Sequence, residues 1–242
     1  MISFGMNRTD YYKLYNNTCE TNNLKLLKQL LKYKGMKDFI AADNNYALRY
    51  AAERGHLEIV KLLLEYPEVA KNIAADSNCA LRWAADNGHL EVVRVLLEYP
   101  EVAKNITANN NCALRWAAMN GHEEIVKLLL EYPEVAKNIA ADNNCALRCA
   151  ANNGHEEIVK LLLEYPEVAK NIAADSNCAL RCAAERGHLE IVKLLLEYPE
   201  VAKNIAADNN CALRWAADNG HLEVVRLLED KIREVNDVKQ DK

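Results

Sequence analysis

The residues of this sequence with the widest chemical reach are its histidines, cysteines and arginines, and nearly all of them repeat. Each of the six histidines follows a glycine, at His56, His89, His122, His155, His188 and His221, always 33 residues apart. Cys79, Cys112, Cys145, Cys178 and Cys211 recur at the same interval, as do Arg49, Arg82, Arg115, Arg148, Arg181 and Arg214. A histidine row invites a metal, but equivalent residues of stacked units stand roughly 10 Å apart, a helix diameter. A zinc–nitrogen bond spans only about 2.0–2.1 Å, so neighbouring histidines cannot share an ion and a structural role is expected. The same distance separates Cys145 and Cys149 from Cys178 and Cys182, although each i, i+4 pair could chelate a soft metal weakly. Repeated cysteines are inherited with the repeat, not a disulfide framework, and fit a reducing compartment. The arginines could grip carboxylates or phosphates through paired hydrogen bonds. Alternatively each bonds its own or a neighbouring loop, at Asp43 or Asp76, and their invariance favours that.

No catalytic constellation emerges. Glycine occurs once per unit, so no loop can cradle a phosphate. Serine is confined to Ser3, Ser77 and Ser176. Glutamates such as Glu58 and Glu65 repeat as solvated helix faces. An enzyme needs a unique site, and this chain has almost nothing unique; no activity, metal or cofactor is expected.

The elements that carry these residues follow from the stretch Asn45–Leu64, which returns five more times with few changes. A fixed period in the range of about 20–50 residues marks a solenoid or array. Units fall at 8–40, 41–73, 74–106, 107–139, 140–172, 173–205 and 206–238. Within a unit a first helix is expected near Ala47 to Arg54, with Asn45 as N-cap and Gly55 ending it in the left-handed conformation. A second helix is expected near Leu57 to Tyr66, apolar around most of its circumference. Pro67 stops it, and proline followed by Glu-Val-Ala could open a short further turn. The unit at 8–40 keeps only the second half of the motif, Leu24 to Tyr33, and reads as a degenerate N-terminal capping repeat. Five full repeats cover 41–205. The span 206–242 lacks the proline and reads as a last repeat with a longer charged capping helix. The expectation is an all-α helical-repeat solenoid of about seven helix pairs, a curved stack forming one domain over 1–242, with little strand.

Half of the residues are hydrophobic, enough for a core, and the net charge is −5. Residues 1–40 hold seven Lys/Arg against three Asp/Glu, net +4, which leaves −9 for the rest. An acidic array is a poor binder of phosphate backbones, so no nucleic-acid partner is expected. No apolar run approaches the roughly 18 residues of a membrane helix, and the opening Met1 to Asp10 lacks the basic-then-apolar pattern of a leader. A cytoplasmic monomer without membrane association is expected.

The pattern Ala-Leu-Arg-x-Ala-Ala-x-x-Gly-His-x-Glu-Ile/Val-Val-x-x-Leu-Leu at period 33 resembles the ankyrin repeat over about 8–238. The departures are consistent. Tyr46-Ala47-Leu48-Arg49 stands where that family has Thr-Pro-Leu-His, Pro67 replaces its glycine after the second helix, and Asn44 or Ser77 its turn glycine. These predict a connection without the family's β-hairpin finger, while the helix pair persists. Such variants resemble arrays of amoeba-associated bacteria and viruses, often directed at host proteins, which would place an exported copy in host cytoplasm. The resemblance implies protein–protein binding by the concave face and loop tips, without catalysis.

At about 100° per residue, Leu48, Ala51 and Ala52 form the buried side of the first helix. Opposite lies a stripe of Tyr46, Tyr50 and Glu53. Later copies read Cys79, Trp83, Asp86; Cys112, Trp116, Met119; Cys145, Cys149, Asn152; Cys178, Cys182, Glu185; and Cys211, Trp215, Asp218. In an ankyrin-like stack this stripe lines the concave groove. The copies differ mainly there and just after, at Arg54, Asn87 and Asn120. Variation on a constant frame is what a modular binder shows, and tyrosine and tryptophan dominate interface hot spots. The candidate partner-binding residues are therefore Tyr46, Tyr50, Glu53, Arg54, Trp83, Asp86, Asn87, Trp116, Met119, Asn120, Trp215 and Asp218. Two other readings stand beside this one. The aromatics could pack between neighbouring first helices, and the near-identical repeats could form a consensus-like or designed scaffold without a natural ligand.

Overall fold

The computed structural model describes residues 8–33, 35, 36 and 39–240. Residues 1–7, on which the expectation about a leader falls, 34, 37 and 38 of the basic opening, and 241 and 242 lie outside it. Among the described residues all regular structure is helical. The chain divides into two compact units, 1–113 and 114–242.

One repeat explains the rest. Its first helix, Ala42–Glu53, closes on Gly55 at φ +70°. The His56 amide reaches back to Ala51 O at 2.9 Å and the Gly55 amide to Ala52 O at 3.2 Å, so the left-handed glycine satisfies carbonyls that the helix end would orphan. The second helix, Leu57–Leu64, buries Ile59, Val60, Leu63 and Leu64. It ends two residues before the expected Tyr66, because that tyrosine precedes proline and sits extended at φ −92°, ψ 119°. Pro67 then opens a third, short helix, Pro67–Lys71, whose Val69 is buried. The short helix recurs at Pro100–Lys104, Pro133–Lys137, Pro166–Lys170 and Pro199–Lys203.

The N-cap reading of Asn45 is corrected. Asp43, Asn44 and Asn45 form a left-handed turn, φ 49°, 56° and 59°, ahead of the regular part of the helix. Asn45 is buried, and its side chain caps the other end of another element: Nδ2 donates to Val69 O and Asn72 O, both at 2.8 Å. The amide thus binds carbonyls at the C-terminal end of the short helix instead of amides at the start of its own. The turn recurs at residues 76–78, 109–111, 142–144, 175–177 and 208–210. Asn and Asp tolerate this region best among residues with a side chain, which explains the Asp/Asn-rich connection. This turn and the short helix stand where a hairpin finger would.

Within 1–113 the first helices pack in chain order, Arg8–Glu20 on Ala42–Glu53 and that on Ala75–Asp86. Within 114–242, Ala141–Asn152 packs on Ala174–Glu185, which packs on Ala207–Asp218. The opening residues form a helix pair, Arg8–Glu20 and Leu24–Leu30, with Tyr15, Cys19, Leu27 and Leu30 buried. Asn23 caps its second helix, accepting from the Leu26 amide at 3.0 Å. The final helix, Leu222–Gln240, is the long charged one that the missing proline predicts.

Candidate protein-binding face

The histidine ladder is structural at each described contact. The ring Nε2 of His56, His89, His155, His188 and His221 lies 2.9–3.1 Å from a backbone carbonyl of the preceding repeat: Glu20, Glu53, Met119, Asn152 and Glu185 respectively. Each of these carbonyls stands at the C-terminal end of a first helix. The ring also explains the glycine before it. A Cβ on Gly154 would come within 2.6 Å of His188 Cε1, and Gly154 sits at φ +78°.

The arginine ladder bonds its own and the neighbouring turn, as its invariance indicates. Arg49 Nη2 donates to Asp43 O at 3.0 Å, and its Nη1 meets Asp76 Oδ2 at 3.3 Å. Arg148 and Arg181 repeat this with Asp142 O and Asp175 O on their own turns and Asp175 and Asp208 on the next. Arg115 reaches Asp142 at 3.1 Å. A guanidinium clamped across two turns is a brace, with its charge met locally.

The variable stripe lies beside this brace. In residues 1–113, Tyr46 and Tyr50 stack with ring centroids 4.3 Å apart, and Trp83 meets Tyr50 edge-on at 5.5 Å and 80°. The Arg49 guanidinium carbon lies 5.7 Å from the Trp83 ring centroid, within cation–π range. Tyr46 donates to Glu20 Oε1 at 2.9 Å. All three aromatic side chains remain partly exposed. The stripe is therefore both inter-repeat packing and surface. Glu53 and Asp86 are half-buried, while Arg54 and Asn87 are exposed. Asn87 is tied down, its Nδ2 donating to Trp83 O at 2.9 Å. This bond gives the asparagine a helix-closing role that the variability comparison does not reveal.

In residues 114–242, Trp116 and Trp215 are half-buried, and Met119, Asn120 and Asp218 are exposed. Arg181 lies 5.7 Å from the Trp215 ring centroid, as Arg49 does from Trp83. The first position of the stripe behaves unevenly. Cys79, Cys112 and Cys211 are buried, whereas Cys145 and Cys178 are half-buried.

A solenoid of short helix pairs, braced from repeat to repeat by histidine and arginine and carrying a variable half-exposed stripe, is the build of a helical-repeat interaction module. The family model described as ankyrin repeats, in three copies, matches residues 16–110, 101–174 and 166–239. The chain belongs to the ankyrin-repeat family. A search of curated protein sequences finds no significant match. Ankyrin repeats are generally protein–protein interaction modules and typically non-catalytic. Among the described residues no helix is long and apolar enough to cross a membrane.

Proposed function

We propose that the chain is a non-catalytic module that binds a partner protein, as a monomer, through the open side of its first helices and the turns that follow them. The array comprises the degenerate repeat 8–40, five full repeats over 41–205, and a closing repeat and helix over 206–242. The contact residues in 1–113 are Tyr46, Tyr50, Glu53, Arg54, Trp83, Asp86 and Asn87; in 114–242 they are Trp116, Met119, Asn120, Trp215 and Asp218. The observation that carries the reading is the Tyr46, Tyr50 and Trp83 cluster. It is closely packed, aromatic and partly exposed, and Arg49 lies against it. Preorganised aromatics lose little entropy on binding and bury much area. The net charge of −9 outside the basic opening argues against a nucleic-acid partner. The near-identity of the repeats favours a second reading, a consensus-like scaffold without a natural ligand.

The test begins by isolating a bound protein with the chain as bait. That protein is then titrated against wild type and Trp83→Ala, with unfolding measured on the same samples. Trp83→Ala should weaken binding by about 2 kcal/mol or more. Its loss of stability should stay near the roughly 0.5–1.5 kcal/mol of an edge-on aromatic pair plus the lost burial. Loss of stability with unchanged affinity in the folded fraction overturns the assignment, and failure to retain any specific partner favours the scaffold.

A further inference from the structure

The equivalent places on the first helices hold Tyr50, Trp83, Trp116 and Trp215, but Cys149 and Cys182 in two successive repeats. Each of these extra cysteines faces the repeated one a helical turn earlier. The Cys145 and Cys149 sulfurs are 3.7 Å apart, and so are those of Cys178 and Cys182. These four are the only cysteines of the chain that are not fully buried; Cys19, Cys79, Cys112 and Cys211 are closed off. Each pair is also approached by a guanidinium from the preceding repeat. Arg115 Nη1 lies 3.6 Å from Cys145 Sγ, and Arg148 Nη1 lies 3.8 Å from Cys178 Sγ.

Two outcomes are open to a pair of thiols so placed, and the geometry separates them. A disulfide needs Cβ atoms about 3.5–4.5 Å apart, whereas i, i+4 residues on a helix hold theirs at roughly 5–6 Å. Closing the bond would distort the helix. A tetrahedral d10 cation asks for something else. With metal–sulfur bonds near 2.3 Å, two of its sulfur ligands stand about 3.8 Å apart, close to the 3.7 Å observed.

We propose that Cys145 with Cys149, and Cys178 with Cys182, are two separate bidentate sites for a soft divalent cation such as zinc or cadmium. Among the described residues no third ligating side chain joins either pair, so solvent or an exogenous thiol completes the coordination and the sites are open ones. On binding, two sulfur–metal bonds form, up to two thiol protons pass to solvent, and no electron changes hands. The dithiolate cancels the charge of the ion, so the nearby arginine opposes binding little.

The test is a cadmium titration of the reduced full-length chain, followed by the ultraviolet thiolate-to-metal charge-transfer band. Wild type should take up two ions, one for each pair. Cys149→Trp should take up one, Cys182→Trp one, and the double variant none. Tryptophan is the residue other repeats carry at these places, so the fold has precedent for it; Cys145→Ser and Cys178→Ser remove the other sulfur of each pair if either tryptophan variant fails to fold. Cys112→Ser, at a buried and unpaired position, should leave uptake at two. Uptake that persists in the double variant, is absent from wild type, or falls equally with Cys112→Ser overturns the proposal.

Discussion

Asn144 shows how much one buried amide carries in this fold. Its side chain is 2% exposed, and Nδ2 donates to Val168 O at 2.8 Å, across 24 residues of chain. Asn45, Asn78 and Asn177 make the same bond to Val69, Val102 and Val201. The accepting carbonyl belongs to a helix of only five residues, Pro166–Lys170, and the asparagine adds to the Asn171 amide that closes its end. Asn144→Ala removes one of the two donors to that carbonyl, which keeps the Asn171 amide at 3.1 Å, so the cost is that of one buried hydrogen bond, about 0.5–1.5 kcal/mol. Chemical denaturation of the pure variant measures this; a change below a few tenths of a kcal/mol would mean that the bond is not holding the connection to the helix. The Arg148–Asp175 pair has a different worth. Its carboxylate is 54% exposed, and exposed pairs contribute about 1 kcal/mol or less. The buried asparagine therefore at least matches the salt bridge, although the charged pair is the more conspicuous in the sequence.

At the scale of the element, the unusual feature is the left-handed turn. Ser176 lies at φ 55°, ψ 50°, between Asp175 and Asn177 in the same region, and its side chain is exposed. A β-branched residue there crowds its own backbone, at roughly 1–2 kcal/mol, and no packing is gained or lost. Ser176→Val should destabilise by about that much, whereas Glu190→Val on an exposed helix face should cost about 0.5 kcal/mol or less. Paired thermal melts of the two variants test the comparison, and equal shifts would contradict the left-handed backbone. This turn was also the part of the repeat least legible in the sequence. The helix pair could be read because Leu48, Ala51 and Ala52 keep a helical spacing and because Gly55 and Pro67 punctuate locally. The turn could not, since a lone Asn before an apolar run is the ordinary sign of an N-cap, and the true partner of Asn45 lies 24 residues away. The candidate face was legible to a similar degree. Invariance marked the arginines as braces, and angular spacing placed Tyr46, Tyr50 and Trp83 together. The burial of Cys79 and the half-exposure of Cys145 at equivalent positions were not read from the repeat pattern; the buried cysteines stand four residues before Trp83, Trp116 and Trp215, the half-buried ones before Cys149 and Cys182.

At the scale of the whole molecule, stability is assembled from bonds of fixed reach. Histidine reaches 36 residues back, the turn asparagine 24 forward, and arginine 27 forward. Each link joins a repeat to itself or to its neighbour, so stability is approximately a sum of repeat and nearest-neighbour terms. A residue with links on both sides should then matter more than one on the opening helix. Leu147 is 1% exposed on Ala141–Asn152, a helix that packs on its own second helix and on the next first helix. Truncation to alanine leaves a cavity in close-packed surroundings and should cost about 2–5 kcal/mol. Leu14 lies on Arg8–Glu20 and is only half-buried, the enclosed position there going to Tyr15, whose hydroxyl donates to Ile40 O at 2.8 Å. Leu14→Ala removes less buried area, and its site can relax toward solvent, so its cost should fall clearly below that of Leu147→Ala. Urea unfolding of both variants, monitored by far-ultraviolet dichroism and tryptophan fluorescence, gives the two numbers. The fluorophores Trp83, Trp116 and Trp215 all lie outside the opening repeat. Local loosening at Leu14 should accordingly appear in dichroism before fluorescence, whereas Leu147→Ala should shift both. Equal losses at the two sites, with coincident transitions in both variants, would show a chain that unfolds as one indivisible unit and not as a sum of repeats.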